Sequence, residues 1–356
     1  MIAGRFSRRS FVKGVAATAA AASVGPFVHT TAKGASNKLV YSGWGGAYQD
    51  AVREAILQPF TKATGIEVVE IKIGPTIAHV KAQVQSKNVE WDVAELEAPD
   101  MLRGKQEGLL EKIDRSRIDT KDLVKEAIDD VGIGCIVFST VLAYSTTAYP
   151  AGKPHPKSWA DFWDVKKWPG RRFLQDQVKL NLEFALMADG VSKDKLYPLD
   201  VDRAFKSLDR IKPHIAVWWK KGAQPPQLLT DKEADLGSSW NGRITGEKWK
   251  GAPMDVEWNQ GIAQYQYYNI PKGAPNRDNA LKFIDFAIKP ERQARSAELI
   301  PYGPTNRKAI AMIDKKKAPD LPTYPENLKR QAPFNEEWWL KNEDALIKRW
   351  EAWKLA

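Results

Sequence analysis

One cysteine and four histidines are the only thiol and imidazole groups in this 356-residue chain, and none stands in a reactive pattern. Cys135 lies in Ile133-Gly134-Cys135-Ile136-Val137-Phe138, an apolar run in which a thiol behaves as a small buried hydrophobe. A lone cysteine also excludes a disulfide within the chain. His29, His79, His155 and His214 lack zinc-site spacing and have no nucleophile nearby in sequence to activate. The sequence contains neither a Walker-type phosphate loop nor a dinucleotide fingerprint. No cofactor, no metal site and no catalytic residue is therefore expected. The remaining chemistry is binding chemistry. Arg243 directly follows Trp240-Asn241-Gly242 where a helix begins, and a guanidinium there can hold a carboxylate through two parallel hydrogen bonds.

A second motif concerns destination. Ser7-Arg8-Arg9-Ser10-Phe11-Val12-Lys13 has the order of a twin-arginine export signal, with Arg8, Arg9, Phe11 and Lys13 as its pattern residues. An uncharged run of Ala, Val and Gly follows from Gly14 to Val28, and small residues at Thr30 and Ala32 suit cleavage near Ala32. Residues 1–32 thus read as a signal peptide, too short and too weakly apolar to span a bilayer. The expectation is export of the folded chain by the twin-arginine translocase into the periplasm. Hydrophobic residues at 43% and charged residues at 28% are ordinary for a globular protein. Losing Arg5, Arg8, Arg9 and Lys13 with the signal lowers the net charge from +10 to about +6. The basic residues are scattered, so a nucleic-acid partner is not expected.

The elements that must position Arg243 follow a strand–helix rhythm. Leu39-Val40-Tyr41 reads as a strand, and Gly43-Trp44-Gly45-Gly46 as a turn. Tyr48, Val52, Ile56 and Phe60 mark an amphipathic helix that Pro59 should kink and Gly65 should end. Ile66 to Ile73 is the next strand, Thr76 to Ser86 a helix, Trp91 to Ala94 a strand and Pro99 to Gly108 a helix. Ser158 caps a helix with Trp159, Phe162 and Trp163. Strands at Phe173-Leu174, Ile215 to Trp218 and Asp235 to Trp240 alternate with helices at Leu180 to Ala188, Val201 to Ile211 and from Asn241. Gln264 to Ile270 is extended, Asn279 to Ile288 helical, and Trp339, Leu346, Trp350 and Trp353 mark a C-terminal helix from about Asn335. This alternation predicts an α/β fold with a largely parallel sheet. Its roughly 320 mature residues suffice for two lobes, joined by strand-like crossings because no flexible linker is present.

Several segments resemble the extracellular solute-binding proteins of ABC importers, of the spermidine/putrescine-binding type. They are Leu39-Val40-Tyr41-Ser42-Gly43-Trp44, Phe60-Thr61-Lys62-Ala63-Thr64-Gly65, Trp91-Asp92-Val93, Gly108-Leu109-Leu110-Glu111, Ser158-Trp159-Ala160-Asp161-Phe162-Trp163, Trp240-Asn241-Gly242, Asn279 to Phe286 and Pro301-Tyr302-Gly303-Pro304. Their order holds from about residue 38 to 312. The resemblance implies a two-lobed periplasmic binding protein of the type II kind, with the ligand cleft between lobes and several hinge crossings. Crossings would fall near 143–146, 262–266 and 308–312. The first lobe would hold 38–143 and 266–308, the second 146–262 and 312–356. The implied partners are a small-molecule ligand and an inner-membrane ABC permease, with the chain monomeric and not an enzyme.

The same resemblance locates candidate ligand contacts at Trp44, Gly45, Gly46, Glu97, Asp176, Gln177, Trp240, Arg243, Gln264 and Gln266. Polyamine binders hold ammonium groups with carboxylates between aromatic rings. Here the aromatics persist as Trp44 and Trp240, but the family's acidic positions fall on Gly46, Gln177, Leu180 and Gln266, and a family tryptophan falls on Gln264. Unpaired ammonium groups in a cleft would cost several kcal/mol. Arg243, with Glu97 or Asp176 as an acidic counterpart, suits a small carboxylate or zwitterion such as an amino acid or ω-amino acid. Arg171 and Arg172 are weaker candidates, expected to be solvated. Trp218-Trp219 and Trp338-Trp339 are expected to pack. Polyamine binding is the alternative. Ferric ion binding through Tyr265, Tyr267 and Tyr268 is a further one, although Tyr268 should point to the opposite strand face from the other two. A periplasmic enzyme is the third class, unsupported by any cofactor motif.

Overall fold

The structure is a computed structural model that describes residues 37–150 and 152–356, so the export motif and the cleavage site lie outside the described residues. Strand β1 (Lys38–Gly43) ends in the glycine turn, and α1 (Gly46–Val52) passes through a π-helical turn at Arg53–Leu57 into α2 (Gln58–Thr64). At Pro59, where a kink in the last turn is expected, the helical winding changes from π to α. Pro59 sits in the first turn of α2, and the wider π turn just before it accommodates the missing N–H and the ring. Gly65 closes α2 at φ 72°, with its N–H on the Thr61 carbonyl at 2.8 Å. Next come β2 (Glu67–Lys72), α3 (Ile77–Gln85), β3 (Val93–Glu97), α4 (Ala98–Gln106) and the long β4 (Gly132–Ser145). Helix α5 (Trp159–Trp163), capped by the Ser158 hydroxyl, leads to β5 (Arg172–Gln175), α6 (Asn181–Ala188), α7 (Val201–Ile211), β6 (Ile215–Trp219) and α8 (Gln224–Thr230). The chain continues through β7 (Leu236–Trp240), α9 (Asn241–Lys248), β8 (Met254–Asn269), α10 (Arg277–Ala287), α11 (Pro290–Leu299), β9 (Gly303–Pro304), α12 (Pro325–Arg330) and α13 (Glu336–Leu355).

The strands form one sheet in the order β2-β1-β3-β8-β4-β7-β5-β6, with β9 added to β4. The flanks β2-β1-β3 and β7-β5-β6 are parallel, as the rhythm predicts. The centre corrects that expectation, because β8 is antiparallel to both β3 and β4, and β4 is antiparallel to β7. Alternation shows local βα units but not the pairing of two strands more than a hundred residues apart. Moreover β4 is buried at every position, so it carries no period of two to mark it as a strand. β4 and β8 run side by side from Gly132↔Asn269 to Ser145↔Met254, with an irregularity between Thr140 and Leu142. On β8 the extra residues include Gln260 at φ 62°, which Trp159 holds by N–H to Oε1 at 2.9 Å and by Nε1 to the carbonyl at 3.0 Å.

Hydrophobic packing divides about this central pair. Leu39, Tyr41, Phe60, Phe283 and Ile284 build one core, and Trp159, Phe162, Phe184, Leu208 and Trp339 another. α13, capped by the Asn335 side chain, buries Trp339, Leu346 and Trp350 in the second. Trp219 is likewise a packing residue. Arg172 is not solvated, contrary to expectation. Its side chain lies inside the second half, with Nε donating to the Phe162 carbonyl at 2.9 Å, Nη1 to Gly170 at 2.6 Å and Nη2 to Trp168. A guanidinium fits that fan of carbonyls because its donors are fixed in one plane.

Candidate functional site

Since β3 is antiparallel to β8 and β7 is antiparallel to β4, β3 and β7 run toward each other. Glu97, the last residue of β3, is level with Gln266, whereas Trp240, the last of β7, is level with Ile262 through Thr140. Two sets of strand carboxyl ends therefore face one another across a gap of roughly 13 Å at about 3.3 Å per residue. Ligands in α/β sheets bind outside strand carboxyl ends. Here the pocket is lined by Trp44, Tyr48, Glu97, Ile136, Phe138, Trp240, Arg243, Gln266 and Tyr302. It is nearly shut, with about 20 Å³ of free volume. Trp44 and Trp240, from opposite sides, meet edge to face with ring centres 6.4 Å apart. Phe138 and Trp219 bracket Trp240 at 6.4 and 5.4 Å.

Arg243 enters from the first turn of α9, whose N-cap is Trp240. Its Nη1 reaches so far across that an added Cβ on Gly46 would lie 3.2 Å from it. Gly46, at φ 59°, thus leaves room for the guanidinium at the mouth of the pocket. Arg243 also approaches the Tyr302 hydroxyl, favouring its ionisation against the burial that pushes its pKa up. Among the described residues no carboxylate lies within ion-pair distance of Arg243, and its Nε is buried without a hydrogen-bond partner.

The opposite wall is acidic. Burial raises the Glu97 pKa, Lys179 opposes that rise, and Asp100 and Glu343 add to it. Lys179 itself is committed to Glu343 at 2.8 Å. Gln266 turns its amide in the orientation that satisfies both of its ends, with the nitrogen donating to Glu95 Oε1 at 2.7 Å and the oxygen accepting at 3.1 Å from Trp44 Nε1, which also donates to the Glu95 carbonyl at 3.1 Å. Sequence reasoning missed Glu95. It is fully buried in β3 and accepts hydrogen bonds from the Tyr41 and Tyr48 hydroxyls. Burial pushes its carboxyl up to about 7, against the opposing pull of those donors and of Cys135. The signal was in the pattern Val93-Ala94-Glu95-Leu96-Glu97, which puts two acids on one face of an otherwise apolar central strand. Tyr48, Ile136, Phe138 and Tyr302 were also missed as lining residues.

The structure brings together Trp44, Glu97, Trp240, Arg243 and Gln266, with Gly46 at the mouth. Gly45 contributes only the left-handed turn that starts α1. Gln264 is buried one strand pitch away, its Oε1 3.4 Å from the Thr140 hydroxyl. Asp176 and Gln177 are not in this pocket. They line a wide depression of about 860 Å³, where Asp176 pairs with Lys354 at 2.7 Å and accepts from Trp350 Nε1 at 3.3 Å. With its charge already matched, Asp176 is no free partner for an ammonium group. Tyr265 and Tyr267 lie side by side on one face of β8, their rings tilted 37° with centres 6.3 Å apart, while Tyr268 packs with Tyr41 and Phe283 on the other. Among the described residues no group of His, Cys, Asp or Glu is placed to hold a metal. No described helix is long and apolar enough to cross a membrane.

Opposed strand ends around a closed aromatic pocket define a periplasmic-binding-protein fold. The chain belongs to the bacterial extracellular solute-binding protein family, whose sequence profile matches residues 55–323. It is 38% identical over 328 residues to the gamma-aminobutyric acid-binding protein of Pseudomonas aeruginosa, covering 90% of this chain and 92% of that one. It is 27% identical over 304 residues to the spermidine/putrescine-binding periplasmic protein of Escherichia coli K12, covering 82% and 84% of the two chains. The solved structure of AgtB from A. tumefaciens R10, in complex with agropinic acid, superposes with a TM-score of 0.81 at 38% identity, over 90% of this chain and 99% of that one. The protein is a solute-binding component of an ABC importer, which captures a small molecule and does not transform it.

Proposed function

We propose that the pocket binds a small zwitterion, an ω-amino acid such as γ-aminobutyrate, with its carboxylate on Arg243 and its ammonium group toward Glu97. The observation that carries this reading is Arg243, a pocket cation with no carboxylate partner among the described residues. The γ-aminobutyrate binder at 38% identity and the agropinic acid complex support a carboxylate-bearing ligand. A polyamine would bring its ammonium groups against a guanidinium, a like-charge contact that no carboxylate at 46 or 266 relieves. In this reading β4 and β8 act as hinge strands between two lobes. Contacts to both lobes stabilise the closed arrangement more than an open one, and that difference drives closure. The mature monomer then works in the periplasm after twin-arginine export and delivers its ligand to the permease. Isothermal titration of the mature chain with γ-aminobutyrate tests the anchor. Truncating one partner of a buried charge pair costs about 2–5 kcal/mol, so Arg243→Ala is expected to weaken binding at least ~30-fold. An affinity within threefold of the parent's rejects the anchor.

A further inference from the structure

Glu95 occupies a position that packing does not explain. It is fully buried, and among the described residues no cation lies within ion-pair distance, yet donors surround it. Tyr41 of β1 and Tyr48 of α1 donate their hydroxyls. Cys135 of β4 offers its thiol to Oε1 at 3.5 Å, and Gln266 of β8 its amide at 2.7 Å. The other titratable groups facing it are Tyr268 of β8 and Tyr302 beyond α11, so among the described residues no lysine, arginine or histidine offsets its charge. A carboxyl kept in this way is weak evidence for stability. Its ties run to the pocket instead. Tyr48 and Gln266 line it, Gln266 bonds Trp44, and Glu97 lies two residues along on the same face of β3. Arg243 enters from the opposed strand ends.

We propose that Glu95 is a specificity-determining residue, whose charge acts through Tyr48 and Gln266 to make the Glu97 end of the pocket select a ligand with an ammonium group over the same carboxylate without one. The proposal rests on Arg243 as the carboxylate anchor. It has a signature in protons. Burial lifts the Glu95 carboxyl to about 7, which brings its titration into the neutral range, and an ammonium group nearby favours the ionised form. Binding a zwitterion around pH 7 therefore releases protons, and its affinity rises as pH increases through that range. A plain carboxylate does neither.

The test is calorimetric titration of the mature chain with γ-aminobutyrate and with butyrate, at pH 7 in buffers of different ionisation enthalpy, for the parent and Glu95→Gln. The parent should prefer γ-aminobutyrate at least ~10-fold and release protons with it alone. Glu95→Gln should lose most of that preference, keep butyrate within threefold and release fewer protons. Equal effects on both ligands, or none on either, overturn the proposal. Should the variant fail to fold, γ-aminobutyrate binding by the parent without proton release overturns it as well. If the parent binds neither ligand, the anchor reading fails and this proposal falls with it. Loss of butyrate binding in Arg243→Ala, with Glu95→Gln unchanged, would leave the anchor standing and remove Glu95 alone.

Discussion

Gly46 allows the polarity of the pocket to be reversed with one substitution. An ideal Cβ there lies 3.2 Å from Arg243 Nη1. In Gly46→Asp the carboxylate begins one bond further out, within ion-pair distance of a guanidinium that has no carboxylate partner among the described residues. The backbone is at φ 59°, a region that Asp tolerates better than most residues, so the strain is about 1 kcal/mol. A charge-assisted hydrogen bond contributes about 1.5–3 kcal/mol. A ligand carboxylate must displace that internal partner, which predicts a loss of roughly 10- to 150-fold in γ-aminobutyrate affinity. Gly46→Ala is the control. It has at least as much backbone strain and the same near contact with the flexible end of Arg243, but no charge, and its affinity should stay within about fivefold. Both variants are titrated calorimetrically in parallel. Equal losses in the two would mean that shape, not charge, matters at this position. Parent-like affinity in Gly46→Asp would show that Arg243 does not hold the ligand, and the electrostatic reasoning would be refuted.

Two further predictions concern stability and delivery. Arg172→Met leaves the Phe162, Gly170 and Trp168 carbonyls without their donors, at about 1–3 kcal/mol each, so thermal melts should fall by at least ~5 °C. Arg172→Lys should rescue little, because a point charge cannot serve a planar fan of acceptors. Replacing Arg8 and Arg9 by lysines should strand the precursor inside the cell and lower the periplasmic pool at least tenfold on fractionation, and an undiminished pool would argue for another export route.

How much was legible in the sequence depended on how local the cause was. The turn at Gly45-Gly46, the cap at Ser158, the start of the last helix at Asn335 and the α7 stripe of Ala204, Phe205 and Leu208 are decided within a few residues, and each forms where the pattern put it. Helices α8 and α11 escaped because proline opens both and their apolar stripes are short. β4 and the first ten residues of β8 escaped because their cause is mutual: each is a strand because the other lies beside it. The site divides in the same way. Trp44, Trp240 and Arg243 were found because they belong to strand-end turns with readable motifs. Asp176 was misplaced because its matching cation, Lys354, comes from α13 at the far end of the chain. Arg172 looked like a surface residue because its acceptors are backbone carbonyls, which no sequence motif marks.

The buried acid and the missing ones are connected. If residue 266 were acidic, as in the polyamine-binding pattern, its carboxylate would stand where the Gln266 amide now donates to Glu95 at 2.7 Å. Two carboxyl groups that close cannot both stay ionised, so one would be held protonated. Glutamine removes the conflict by turning a donor toward Glu95 and an acceptor toward Trp44, and it lets the negative charge reside one strand over, behind the wall instead of on it. A charge so placed attracts an ammonium group through intervening dipoles without adding to Glu97 a second lining carboxylate that could pair with Arg243. The long pairing of β4 and β8 fixes the frame, and the residues at the opposed strand ends can exchange a dication site for a zwitterion site without disturbing it.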